Sequence, residues 1–262
     1  MKYKLIITAV FFNTALFAQS KETIQLFKKF ITVCNAYKQL PLQLDIAYSK
    51  KNNIPIYNSD TAIIHGTFYI DKTAAYIKFG DAEQIITDSL ALVVMGNVRQ
   101  MLLSANNGSI TDQVSKMINT PVSDSSVDNL SARYSIIQKS LDKEAGVIEI
   151  SNKKNIFGTE LPAEKIILDY NAKTNDPQRI ETIKRSLVKK PEGEIGFSAT
   201  VVTIPQKGDY LVMEEHTVYE YKSITHDATK KIPVQLADRI MQDASKTYVP
   251  VKAYQHYNLV IN

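Results

Sequence analysis

The chain has no tryptophan and a single cysteine, Cys34, among its 262 residues. One thiol cannot close an internal bridge, so no disulfide framework holds this fold and a packed core has to do so. The expected place of Cys34 is a buried helix position, as a small apolar residue. Glycine is scarce at nine residues, about half of the ~7% ordinary usage. Neither GxxxxGK[ST] nor GxGxxG occurs, which removes the backbone cradles that nucleotide phosphates use. No GxSxG elbow, HExxH pair or cysteine series is present, so the sequence carries no hydrolase or zinc signature. The expectation is a protein that is not an enzyme, with no cofactor and no metal. Its nearest approach to a metal set is Glu214-Glu-His216 with His226, where a third ligand beside the strand-spaced Glu214 and His216 has to come from elsewhere.

Charge of one sign is also lacking. The formal net charge is +4, and the lysines come as scattered pairs, Lys28-Lys29, Lys50-Lys51, Lys153-Lys154, Lys189-Lys190 and Lys230-Lys231, with acids between them. No continuous basic stripe results, and nucleic acid is excluded as a partner.

Long apolar runs are confined to the start. Lys2 and Lys4 precede an almost wholly apolar Leu5 to Phe17, followed by Ala18-Gln19. That order reads as an export signal over residues 1–18, with the mature chain from Gln19. The run is roughly thirteen residues, short of the ~20 that span a bilayer as a helix. Cys34 lies far from the first mature position, so no lipoprotein acylation site follows. A soluble periplasmic or otherwise exported protein is expected.

Ser20 can cap a helix from Lys21 to Gln39. Ile24, Phe27, Ile31 and Cys34, with Phe30, Val33 and Tyr37 beside them, recur at spacings of three and four as one apolar stripe. Lys21, Lys28, Lys29 and Lys38 fall largely elsewhere. After Pro41 the period changes to two, with Leu42, Leu44 and Ile46 alternating, and strands follow at Ala62 to Ile70 and Thr73 to Phe79. Leu90 to Met95 and Val98 to Leu103 flank Gly96-Asn97, which suits a two-residue type II′ hairpin pairing Met95 with Val98. Both faces of that hairpin are apolar, so cover is expected on both, by the N-terminal helix and by further protein or an apolar ligand. Beyond it come a short helix near Ile110 to Ile118, a polar loop through Ser126, and strands at Arg133 to Gln138, Gly146 to Asn152, Glu164 to Tyr170 and Gln178 to Val188. Lys189 to Glu194 is the expected boundary, giving a β domain over residues 19–188. An extension over 189–262 holds strands at Gly196 to Pro205 and Asp209 to Tyr221, a short helix near Val234 to Ala244 and a final strand from Tyr248. The fold class is α+β, a curved antiparallel sheet or incomplete β-barrel with an N-terminal amphipathic helix and a β-rich C-terminal extension.

Leu44-Asp-Ile-Ala-Tyr48, then His65-Gly-Thr-Phe-Tyr69, Ala74 to Phe79 and Glu83-Gln-Ile-Ile-Thr-Asp-Ser-Leu90 follow a capped helix behind an export signal. This succession resembles the periplasmic lipoprotein-carrier (LolA/LolB-like) fold over residues 20–188. The resemblance implies an incomplete barrel closed by helices, with an apolar interior that receives acyl chains. The chain departs from it in its C-terminal extension, its lack of tryptophan and the absence of a recognisable gating arginine. On this basis the first functional expectation is a carrier of an apolar lipid or acyl group or of a lipoprotein, with Val93, Met95, Val98, Met101 and Leu103 lining its cavity or forming core. The second is a non-enzymatic accessory subunit of an envelope or secretion assembly, with Tyr248, Tyr254 and Tyr257 meeting protein partners.

Overall fold

A computed structural model describes residues 21–54, 62–110, 126–192, 199–205, 207–227, 229 and 231–262. The expected export signal, Ser20, and the helix residues Val114, Met117 and Ile118 lie outside these. Among the described residues no helix is long and apolar enough to cross a membrane.

In chain order the elements are helix α1 (residues 21–34), strands β1 (Leu42–Asn52), β2 (Ile64–Ile70), β3 (Ala74–Phe79), β4 (Ala82–Thr87), β5 (Leu90–Met95) and β6 (Gln100–Ala105), then helix α2 (Val127–Arg133). They continue with β7 (Tyr134–Leu141), β8 (Ala145–Asn152), β9 (Glu164–Asn171), β10 (Pro177–Lys189), β11 (Val201–Ile204), β12 (Gly208–Thr225), β13 (Ile240–Gln242), β14 (Tyr248–Pro250) and β15 (Asn258–Ile261). The chain divides into two compact units. The first takes Met1–Cys34, Lys50–Asp60 and Val122–Thr217, the second Asn35–Ser49, Thr61–Pro121 and Val218–Asn262.

In the first unit β10, β9, β8 and β7 follow one another antiparallel, with β7 at the edge, and β11 pairs with β12. Alternation sorts these strands by face. Ile148, Ile150, Ile166, Leu168, Tyr170 and Ile180 are buried on one side, while Glu149, Lys165, Asp169, Arg179 and Glu181 stand on the other, joined by salt bridges. The buried side of α1 is Phe27, Phe30, Val33 and Cys34, whereas Ile24 is 42% exposed and Ile31 half-buried. The stripe is therefore centred one position round from the expected Ile24-Phe27-Ile31-Cys34. The helix also stops at residue 34, and Ala36–Lys38 form a 3-10 turn in place of its expected last turn. α2 follows the polar loop expected through Ser126 and takes in Arg133, which was expected to open a strand. Ser126 accepts a hydrogen bond from the Asn129 amide and so satisfies one open donor at its start.

In the second unit the order is β15-β6-β5-β4-β3-β2-β1, with β12 beyond β1. Leu42, Leu44 and Ile46 face one side of β1 and are buried with Phe68, Ile70, Ala75, Ile77 and Ile86, as the period of two anticipates. Among the described residues, the end strands of neither unit's part of the sheet pair with each other, so neither part closes into a barrel.

The hairpin β5–β6 forms, with a shifted register. Met95 pairs with Gln100, Val94 with Met101 and Leu92 with Leu103, where the two-residue turn required Met95 opposite Val98. A II′ turn needs Gly96 at positive φ, but Gly96 is not among the positive-φ residues, and Arg99 takes that conformation at φ 51°. The Gly96 amide is instead bonded to the Asp81 carbonyl at 3.1 Å, and a four-residue loop closes the hairpin. A shift of two residues preserves the face of every side chain. The C-terminal segment is likewise more extended than expected. Leu236–Asp238 form a 3-10 turn, and Ile240–Gln242 form β13, paired with β14, where a helix had been expected. β15 then runs parallel to β6, Leu259 beside Met101.

An apolar groove in the first unit

On α1, Leu26 and Lys29 stand one turn apart and so share a side of the helix. Opposite them the sheet offers Ile136, Ile137 and Leu141 from β7 and Tyr170 from β9. Neighbouring Ile136 and Ile137 point to opposite faces of an edge strand, so the space these residues enclose reaches around the sheet edge. It is an open groove of about 780 Å³, within the ~300–1,000 Å³ of small-molecule sites. Ile137 is 46% and Leu141 63% exposed, large apolar surface left facing the groove mouth.

A glycine shapes the floor. Gly146 pairs with Tyr170, and a Cβ at Gly146 would lie 2.3 to 2.6 Å from the Tyr170 ring and hydroxyl. The ring lies over the glycine because nothing else fits there. The Tyr170 hydroxyl comes 3.5 Å from Gln138 Oε1, and the Lys29 ammonium sits 5.0 Å from the ring centroid. Lys29 Nζ also donates to Asn175 Oδ1. Asn175 is at φ 65°, a conformation asparagine tolerates, in a turn whose Lys173 and Thr174 amides are bonded to Asn171 Oδ1.

The opposite face of the same sheet has different chemistry. His216 Nδ1 is 2.7 Å from Glu181 Oε1, Arg179 is 2.7 Å from Glu181 Oε2, and Arg185 bonds Glu214 at 2.6 Å. Burial pushes the Glu181 carboxyl up, but the hydrogen bonds from His216 and Arg179 outweigh it and hold it below the usual range. Asp169 goes the other way, raised by burial and by Glu181 against the pull of Arg179. Glu214 and His216 do share a face, as strand spacing implies, 3.7 Å apart. His226 is bonded to the Pro41 carbonyl. Among the described residues no group of three or more histidines, cysteines or acids could hold a metal ion.

The residues singled out from sequence lie in the second unit. Met101 and Leu103 are fully buried on one face of the hairpin with Leu92 and Val94. Val93 and Met95 are half-buried on its other face, and Val98 is 60% exposed in the loop. The structure thus joins Met101 to Leu103 and separates both from the other three. Tyr248, Tyr254 and Tyr257 are half-buried against the Met101 cluster, with Ile232, Val234, Leu236 and Leu259. Arg239 stacks on Tyr254 at 4.8 Å and pairs with Glu83 at 2.9 Å, tying this segment to β4. In the same cluster burial and Glu83 push the Tyr76 phenol up to about 12.

Leu26, Ile136, Ile137, Leu141 and Tyr170 were not singled out from sequence as a site. Their signal was present in the adjacent Ile136-Ile137 and in Leu141, apolar where a half-buried strand should alternate. Cys34 is buried, and its thiol is pushed well up by that burial.

No protein-family model matches the chain. A search of curated proteins likewise returns no match. Among solved structures, a LolA superfamily protein from Nitrosomonas europaea is similar at 13% identity, over 80% of this chain and 94% of that one, with a TM-score of 0.28. A domain assigned to an outer membrane lipoprotein-sorting protein from Vibrio parahaemolyticus is similar at 8% identity, over 72% of this chain and 86% of that one, with a TM-score of 0.24.

Proposed function

We propose that the protein is an exported, non-enzymatic carrier that binds a lipid or acyl group, alone or as part of a lipoprotein, in the groove between α1 and the β7 edge. The observation that carries this reading is that groove of about 780 Å³, whose apolar lining is Leu26, Ile136, Ile137, Leu141 and Tyr170, with Glu22, Gln25, Lys29 and Gln138 among its polar lining. Each acyl methylene buried there contributes about 0.8 kcal/mol, so about ten buried methylenes correspond to micromolar affinity. A protein-partner role for Tyr248, Tyr254 and Tyr257 draws less support, because their rings already cover the protein's own core.

Native mass spectrometry on detergent-free protein, with lipid extraction, is the test. The expected result is a stoichiometric lipid or acylated peptide, lost in Leu26→Lys while the melting midpoint of this half-buried position changes little. Retention of the lipid by Leu26→Lys would remove the groove as its site.

A further inference from the structure

We infer that Asn107 is a site of spontaneous covalent modification, conversion to aspartate or isoaspartate, and that Asn106 restrains it in the folded chain. Asn107-Gly108 is the one Asn-Gly pair in the sequence. It lies just past the end of β6, and both residues are exposed. Among the described residues the Asn107 side chain has no hydrogen-bond partner, so its amide can turn onto the main chain. Glycine carries no Cβ, and nothing on residue 108 screens its backbone nitrogen from that amide. The Gly108 nitrogen, losing its proton to base, attacks Asn107 Cγ. A C–N bond forms, the Cγ–Nδ2 bond breaks, and ammonia leaves with a proton from water. The five-membered imide then takes up one water at either of its carbonyls, one opening giving aspartate and the other isoaspartate.

The fold acts on the attacking atom. The Gly108 N–H donates to Asn106 Oδ1 at 3.1 Å. Asn106 is itself only 7% exposed, its Nδ2 donates to the Thr87 carbonyl at 2.6 Å, and its backbone N–H donates to the Ser89 carbonyl at 2.8 Å. A nucleophile bonded to an anchored acceptor has to release that bond before it turns toward Cγ, which slows the reaction about tenfold for one such bond. The products place a negative charge or an extra main-chain methylene beside the residue that ties the end of β6 to the turn between β4 and β5.

Timed incubation of the full chain in mild alkali, with and without urea, followed by digestion and peptide mass spectrometry, is the test. In urea Asn107 is expected to be the first asparagine to convert, and in the folded chain the same conversion is expected about tenfold more slowly. Asn106→Ala, with folding checked by near-UV circular dichroism, is expected to bring the folded rate up toward the rate in urea. Hydrogen exchange at the Gly108 amide of the unaltered protein reads the same bond without a variant and is expected to be slowed. Persistence of Asn107 in urea while other asparagines convert would overturn the site. Equal rates in the folded and unfolded chain would overturn the restraint. An unchanged slow rate in folded Asn106→Ala, or exchange of the Gly108 amide at the unfolded-chain rate, would remove Asn106 as its source.

Discussion

The two units treat an apolar sheet surface in opposite ways. In the second, the β5–β6 face bearing Leu92, Val94, Met101 and Leu103 is covered by the chain's own C-terminal segment, from Ile232 to Leu259. In the first, the edge around Ile136, Ile137 and Leu141 keeps an open groove under α1. Hydrophobic patterning reports that a surface leaves water. Which object removes it, another stretch of the same chain or a ligand, depends on what the remaining sequence can reach. The Arg239–Glu83 pair and the parallel pairing of β15 with β6 hold the cover in place on the hairpin.

The sharpest way to break this contrast is a charge at its filled side. Met101→Lys places an ammonium at a fully buried position and is expected to cost on the order of 5 kcal/mol, abolishing cooperative unfolding of that cluster. Denaturant titration followed by near-UV circular dichroism reads this out, and a variant that keeps the native signal would show that the C-terminal cover opens to let the lysine reach water. On the open side, Gly146→Ala forces the Tyr170 ring away from the floor. Overpacking of this kind costs about 1–3 kcal/mol, and the displaced ring should narrow the groove. Both a lowered melting midpoint and weakened lipid binding are expected, and unchanged binding would place the ligand away from Tyr170.

The charged face supplies the smallest effect. The Asp169 carboxyl is raised, chiefly by burial, so the unfolded chain gives up that proton more readily than the folded one. Stability is therefore lost as pH rises from the unfolded to the folded value and stays lost above it. Asp169→Asn is expected to stabilise the protein at pH 7 by a few tenths of a kcal/mol, within the ~0.5 of surface substitutions, and to leave stability unchanged well below the carboxylate range. Glu181 has the opposite sign. Its lowered value contributes stability above the unfolded value, and that contribution fades as pH falls through the folded one. Melting curves at pH 7 and in strong acid separate the two, and an Asp169→Asn protein that is less stable at pH 7 would mean that its contact with Arg179 outweighs burial.

Strands were the most legible part of the fold. β1 with its buried Leu42, Leu44 and Ile46, and β7 through β10, lie within a few residues of where alternation places them, because a period of two is written locally. The hairpin loop was misread because Gly96 suits a II′ turn in isolation, whereas its amide is engaged by Asp81 from a neighbouring turn. β13 was read as helix because three residues say little by periodicity, and its pairing with β14 is a tertiary fact. Of the groove, the apolar excess on β7 could be seen, but the meeting of Leu26 with residues more than a hundred positions later could not.

Sequence alone determined the period of each strand, the dispersal of charge, the dependence on a packed core without disulfides and the burial of Cys34, since each follows from residue types and their local spacing. Tertiary structure alone decided that Met101 and Leu103 are roofed by the C-terminal segment, that Tyr170 packs closely over Gly146, and that Lys29 reaches the Tyr170 ring. Those outcomes rest on contacts between residues distant in the chain, and the partner of a buried surface is chosen by shape and reach among all the segments that compete for it.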